Sequence, residues 1–279
     1  MSVQTQPNAA AGAGVRAHDD PNPESILKLA SGFMAAKHLF AASELGLFEA
    51  LADAPATIDA LAARTGLTPR AARISADAMV GLELLEREGD TYRNSATAAV
   101  FLSGTTPVDL RPFLRFWDRI SYPAWTRLAE SLARGPSQEI FELDDSLQEV
   151  ASSGIESILA GPAAALAATY DFGRHRRLLD VGGGTGSWTI AVVRRHPQIA
   201  GTVFDLPTVA EIARQRLEAA GLSERISVRA GDVTAGELPT GYDAFLLANL
   251  VHYWSPEENR AFLQRLREVA EPGARVLLA

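Results

Sequence analysis

The sequence predicts an α/β fold, a doubly wound parallel sheet preceded by a smaller helical domain. Three observations predict it. From residue 173 onward, short apolar strand-like runs alternate with helical segments, the pattern of a parallel sheet covered on both faces. A glycine-rich turn leaves the first of those runs and enters a helix. The chain has 279 residues, and at roughly 150 per domain there is room for a second unit ahead of the sheet. Composition places the whole in the ordinary globular range, with 47% apolar and 22% charged residues. Collagen-like, coiled-coil and largely disordered readings fall away.

Charge and cysteine content exclude more. With 26 basic and 34 acidic side chains the net charge is −8, which disfavours broad electrostatic binding to nucleic acid or to an anionic membrane. The absence of cysteine removes disulfide frameworks, thiolate zinc sites and cysteine nucleophiles together, and no metal site is read from the sequence. No apolar run approaches the ~20 residues that span a bilayer. The first 25 residues lack the basic start and apolar stretch of a secretory signal. The expectation is a soluble, cytoplasmic protein.

Residues 1–23, rich in Ala, Gly, Asn and Pro, read as a disordered tail. From Glu24, Ile26, Leu29, Phe33, Ala36 and Phe40 recur at helical spacing. A helix so widely apolar is either buried or shared with a partner subunit. Thr57–Arg64 reads as a short helix ended by Gly66. Thr68 then caps a helix that has Pro69 at its first position and runs to about Gly81. Leu82–Arg87, the turn at 88–90 and Thr91–Arg93 complete a β-hairpin. Helix, turn, helix and hairpin describe a winged helix, within a domain spanning 24–104. DNA recognition needs a positive face, whereas Asp53–Arg93 holds five arginines against seven acids, so a packing or dimerisation module is the favoured reading.

Residues 105–172 read as a helical region with breaks around Ser121–Pro123, Gly135–Pro136 and Gly161–Pro162, and an acidic patch at Glu142–Asp145. The domain at 173–279 carries strands at Arg177–Val181, Gly201–Phe204, Ile226–Ala230, Ala244–Ala248 and Arg275–Ala279. Helices are expected at about 187–196, 208–220 and 256–271.

The strongest local signal is Leu178-Leu179-Asp180-Val181-Gly182-Gly183-Gly184-Thr185-Gly186. A dinucleotide fingerprint counted from Gly182 needs Gly or Ala at 187, where Ser187 stands, and no lysine follows to make a P-loop. A carboxylate ahead of the glycines repels a diphosphate but favours a cation such as the ammonium and sulfonium of S-adenosylmethionine. Capping of the loop's own N–H groups by Asp180 stays open as the alternative. Asp205, 23 residues after Gly182 at the end of the second strand, is placed to accept from two ribose hydroxyls, or to cap the helix after Pro207. At the third strand's end Asp232 suits an adenine amine, with Val233 against the ring; a plain turn at Gly231-Asp232 is the alternative. Together the three acids converge on one crevice at the carboxyl ends of the strands.

At this point the chain resembles the small-molecule O-methyltransferases that join a winged-helix dimerisation domain to a Rossmann-like class I methyltransferase domain, plant phenolic and bacterial polyketide-tailoring enzymes among them. The resemblance runs from about Ile26, through GFMAAKHLFAASELGLFEAL, YDFGRHRRLLDVGGGTGSWTIAVVRRHP, VFDLPTV, AGLSERISVRAGD and LLANLVHYWSPEENRAFLQRL. It implies S-adenosyl-L-methionine as cofactor, a homodimer, and a hydroxylated aromatic or polyketide small molecule as acceptor. It further implies a cofactor set of Asp180, Gly182, Gly184, Asp205, Leu206, Gly231, Asp232, Val233 and Asn249. Three rival readings remain: a cofactor-binding relative that transfers no methyl group, a metabolite-sensing regulator, and a nicotinamide oxidoreductase, which Ser187 and Asp180 oppose.

After the fourth strand comes Asn249-Leu250-Val251-His252-Tyr253-Trp254-Ser255-Pro256-Glu257-Glu258, in which Ser255 and Glu258 form a capping box. His252 thus sits at the ligand edge of the sheet, and an imidazole can take the proton of a phenol. By resemblance it matches the general base of the family's His-x-Trp segment; a structural histidine is the alternative. Tyr253 replaces the Asp common between His and Trp, and Ala248 replaces a Lys common in plant members. The other histidines, His18, His38, His175 and His196, read as solvent-facing or structural. Leu110, Phe113, Leu114, Trp117 and Ile120 share a helical stripe, with Tyr122 and Trp125 beyond it. By resemblance Trp117, Tyr122, Trp125 and Trp254 line the acceptor pocket, though such a stripe also serves as plain core. The resemblance makes the sheet C-terminally incomplete at Ala279. The chain is then either a piece of a longer one or an enzyme completed by a second polypeptide.

Overall fold

The computed structural model describes residues 22–135 and 143–279. The expected tail up to residue 21, Pro136 and Glu142 lie outside the described residues.

The N-terminal unit begins with α1 (Glu24–Glu44). Only its last turns, at Phe40, Ala42 and Ser43, are buried, while Leu29 is 83% and Phe33 51% exposed. Its own chain therefore leaves the apolar first half of α1 uncovered. Next come β1 (Ala56–Thr57), α2 (Ile58–Thr65) and α3 (Pro69–Gly81), then the hairpin β2 (Leu85–Glu88) and β3 (Thr91–Asn94), and α4 (Ala96–Phe101). Thr57, Thr68 and Ser95 cap the three helices, their hydroxyls accepting from Ala60, Ala71 and Ala98 N–H. The hairpin starts three residues later than expected. Leu82 and Glu83 are used to close α3, with Leu84 N–H bonding back to Met79 C=O and Glu83 at φ +61°. β1 is an addition to the expected elements: it pairs with β3 to give a small antiparallel sheet in the order β1-β3-β2. Phe48, Leu61, Met79 and Tyr92 are buried in this core, and Tyr92 Oη donates to Asp77 at 2.6 Å.

The middle region comprises α5 (Arg111–Phe116), a π-turn at Trp117–Ser121, α6 (Tyr122–Trp125), α7 (Leu128–Arg134) and α8 (Asp145–Thr169). Asp144 of the acidic patch caps α8, accepting from Leu147 N–H at 2.9 Å. The break expected at Gly161–Pro162 is absent, because α8 runs through Pro162. Proline there forfeits one backbone hydrogen bond. Burial of Ala163 and Ala167 just beyond it, in the core under the large sheet, holds the helix together. α8 corrects a second expectation. Residues 146–169 are long and apolar enough, with a mean hydropathy of 1.3, to cross a bilayer by length and composition. In the fold this helix packs on α5, where a Cβ at Gly154 would lie 2.5 Å from Phe116 Cβ.

The C-terminal unit alternates β4 (Arg177–Val181), α9 (Ser187–Arg195), β5 (Ala200–Asp205), α10 (Pro207–Ala219), β6 (Ile226–Ala230), β7 (Tyr242–Leu247), α11 (Pro256–Val269) and β8 (Ala270–Leu278). All five strands are parallel in the order β6-β5-β4-β7-β8. The alternation along β4 sends Leu178 toward α8, α9 and α10, and Leu179 and Val181 toward α11. β8 begins five residues earlier than expected. Pro272-Gly273 reads as a turn, but the ladder pairs Ala270 with Tyr242 and resumes at Arg275 across an irregularity. The order of strands reverses between β4 and β7, and their carboxyl ends open the crevice where ligands bind in such sheets.

Candidate functional site

The glycine loop leaves β4 at that reversal. Gly182 and Gly184 both have left-handed backbones, at φ +67° and +57°. A Cβ at Gly182 would stand 2.8 Å from Leu250 Cδ1, whereas one at Gly184 would meet nothing within 4 Å. The loop can therefore bring bare backbone against a ligand on its Gly184 side. Gly231 serves packing instead: a Cβ there would lie 2.4 Å from the Phe204 ring.

The three strand-tip acids occupy three different environments. Asp180 is fully buried beneath the loop, on the α9 side. Its Oδ2 accepts the Thr189 hydroxyl at 2.7 Å, and its Oδ1 has no hydrogen-bond partner among the described residues. Burial, with the Asp205 charge adding to it, pushes its pKa up to about 7. Asp205 is half-buried and braces the loop: its carboxylate accepts from Gly184 N–H at 2.8 Å and from Leu206 N–H at 2.7 Å. It does not cap α10, whose N-cap is Leu206 without a side-chain bond. Burial raises its pKa as well. Asp232 is exposed and folded into a turn, accepting from Thr234 N–H and Oγ1, both at 2.7 Å; the hydroxyl bond first of all lowers its pKa.

A buried acid with a raised pKa costs stability once it ionises. Asp180 contributes its full share of stability below the unfolded carboxyl value near 3.8, and that share is lost as pH rises through about 7. Asp180→Asn should therefore raise the melting temperature of the ligand-free protein at pH 8 and leave it nearly unchanged at pH 4. A fall at pH 8 would show that the ionised carboxylate is well solvated.

His252 lies on a 3₁₀ turn, Val251–Tyr253, between β7 and α11. It is exposed, with its ring 4.1 Å from that of Tyr253. Both halves of the Ser255–Glu258 capping box are present. Asn259, outside the expected site residues, pins this segment: its Nδ2 donates to Val251 C=O at 2.8 Å and Trp254 C=O at 3.1 Å. An Asn one turn into a capped helix was the available signal. Asn249 takes φ +50° at the end of β7, and its N–H donates to Ala279 C=O. Leu206 is exposed, while Val233 packs on the core beneath α11.

The aromatic residues divide. Trp254 tilts against Phe262 at 5.0 Å, within the core beneath α11. Trp117 meets Phe113 edge-on at 5.9 Å, and Tyr122 lies 5.1 Å under Lys37 Nζ, which pairs with Asp118. Trp125 is 59% exposed. Leu110 and Leu114, by contrast, pack into the N-terminal core. Of the histidines, His175 is buried with Nε2 2.9 Å from Tyr170 Oη, His196 Nε2 lies 2.8 Å from Ala167 C=O, and His38 is exposed. His18 lies outside the described residues. Two surface concavities, of about 370 and 310 Å³, lie along the outer face of α11 and at the amino ends of the strands, away from this crevice.

Residues 133–279 match the O-methyltransferase domain, and residues 27–104 the O-methyltransferase dimerisation domain. The chain belongs to the O-methyltransferase family. It is 35% identical to the 3-hydroxy-5-methyl-1-naphthoate 3-O-methyltransferase of Streptomyces sahachiroi, over 92% of this chain and 76% of that one. It is 32% identical to the tetracenomycin polyketide synthesis 8-O-methyl transferase TcmO of Streptomyces glaucescens, over 92% and 78% of the two. Among solved structures, human N-acetylserotonin methyltransferase in complex with S-adenosylmethionine superposes with a TM-score of 0.82 at 26% identity, covering 94% of this chain and 80% of that one.

For an O-methyltransferase of this family the cofactor is S-adenosylmethionine, and the residues present fit it. The charge that bears on Asp180 is another carboxylate, Asp205, so the strand tips offer a negative field to the cofactor's cations. The orphaned, buried Oδ1 of Asp180 is consistent with that field. When bound, the cofactor supplies a methyl group on a sulfonium sulfur, which leaves as a neutral thioether after displacement.

Proposed function

We propose that this methyltransferase acts on a hydroxyl of a small aromatic or polyketide compound, with His252 as the base that takes the hydroxyl proton. The observation that carries the reading is the placement of Asp205, bound to Gly184 N–H, at the same sheet edge as the turn bearing His252. Free lone pairs on the Asp205 carboxylate accept the ribose hydroxyls, Gly184 faces the cofactor with bare backbone while Gly182, close against Leu250, turns the loop toward it, and Asp232 with Val233, beside Gly231, takes the adenine. Leu206 and Asn249 border the same site. Transfer needs the acceptor oxygen held in line with the methyl group, and loss of its proton makes it a better nucleophile. An exposed imidazole on a turn braced by Asn259 suits that task. Trp117, Tyr122 and Trp125 offer flat faces for an aromatic acceptor; Trp254 supports the turn through Phe262.

In this reading residues 24–104 form the dimerisation unit, 105–172 line the acceptor side and 173–279 hold the cofactor. The uncovered apolar half of α1 supports a homodimer, to be checked by light scattering against the 29.8 kDa chain mass. The deciding experiment incubates the protein with S-adenosylmethionine and a panel of hydroxylated aromatics and polyketides. Stoichiometric S-adenosylhomocysteine and a product heavier by one methylene are expected. Cofactor binding without either product would leave a binding protein and end the enzymatic reading.

A further inference from the structure

Asp180 is more than a contact in waiting. Its carboxyl group is enclosed on every side: α9 presents Thr189, whose hydroxyl donates to Oδ2, β7 presents the apolar Leu246 in register, and β5 presents Val203 and, at its tip, Asp205. Asp205 is committed to Gly184 and Leu206 N–H. Among the described residues Oδ1 has no donor. A carboxylate so enclosed, facing a second carboxylate, favours its neutral form until a cation arrives.

We propose that Asp180 is a proton-linked charge sensor of the cofactor site: protonated without a cation, it releases its proton to water when S-adenosylmethionine binds, and keeps it when the uncharged-sulfur product binds. The proposal rests on the crevice being the adenosylmethionine site. The step is a simple ionisation; the carboxyl O–H bond breaks, the electron pair stays on oxygen, and the ligand is unchanged. A cation beside a carboxyl group lowers its pKa by about 1–3, so the release falls in the range just below the ligand-free value of about 7. Both ligands carry an ammonium balanced by their own carboxylate, so the sulfonium is the net charge by which cofactor and product differ. Affinity for S-adenosylmethionine should therefore rise about tenfold or more from pH 5.5 to 7.5, while that for S-adenosylhomocysteine stays nearly level. The site would then shed its product more readily as pH rises relative to the cofactor it takes up.

Imidazoles also titrate in this range, so the test uses the full chain carrying His252→Ala. Calorimetric titration at pH 6.5, in two buffers of different ionisation enthalpy, counts the protons released. S-adenosylmethionine should release about half a proton or more and S-adenosylhomocysteine much less. Adding Asp180→Asn should abolish the release while weaker binding persists. Thr189→Val, which removes the side-chain donor favouring the charged form and leaves the Thr189 N–H, should move the release to higher pH, and it serves should the Asn variant fail to fold. Release that survives Asp180→Asn, equal release by both ligands, or an unmoved profile in Thr189→Val would overturn the proposal alone. Absence of binding by either ligand at millimolar concentration would overturn it together with the cofactor reading.

Discussion

His252→Ala should lower the methyl-transfer rate by about 10²–10⁴-fold, the usual worth of a general base, while leaving S-adenosylmethionine affinity close to that of the unaltered protein. The separation follows from position. His252 lies on the turn after β7, with its ring against Tyr253, whereas the glycine loop is held from the other side by Asp205. Single-turnover rates and calorimetric affinities on the same preparation check both halves. An equal loss of affinity would instead mean that the turn, rather than the imidazole, had been disturbed. Retained rate would assign the proton to water or to another group.

Asp205→Ala should weaken S-adenosylmethionine binding by about 10²-fold or more, with Asp205→Asn falling between it and the unaltered protein. Hydrogen bonds to an ionised acceptor are worth about 1.5–3 kcal/mol each, and this carboxylate would lose two ribose contacts. It also surrenders the Gly184 N–H that it holds at 2.8 Å, so the loop loses its brace when the ligand needs it in place. Folding stability should move the other way. Burial raises the pKa of Asp205, so the stability present below the unfolded carboxyl value is lost as pH rises through the folded one and the carboxyl group ionises. At pH 8 the ligand-free Asp205→Ala protein should melt no lower than the unaltered one. Unchanged affinity would dissociate Asp205 from the cofactor.

The strands of the catalytic unit were legible to within one or two residues where they are buried on both faces, as at Arg177–Val181 and Ala200–Asp205. A doubly covered strand must be apolar along its whole length, and its ends are marked by glycine and charge. Legibility failed where packing overrules a local signal. Pro162 argues for a break, yet the burial of Ala163 and Ala167 carries α8 past it. Pro272-Gly273 argues for a turn, yet the pairing with β7 continues across it.

At the site, spacing alone brought Asp180, Asp205 and Asp232 to three neighbouring strand tips, because strand length and parallel order are written in the apolar pattern. Which way each carboxylate faces is a matter of tertiary contact. Asp180 is drawn inward by Thr189 of α9, Asp205 bridges to Gly184, and Asp232 closes on its own turn. Asn259 likewise reaches Val251 only because α11 folds back on the end of β7. The chain's linear pattern determined the order of elements, the glycine loop and the residue types at the crevice, since these depend on local periodicity and backbone freedom. The tertiary structure alone decided burial, and with it the direction in which each acid's pKa moves, because desolvation depends on everything packed around a group and not on its neighbours in sequence.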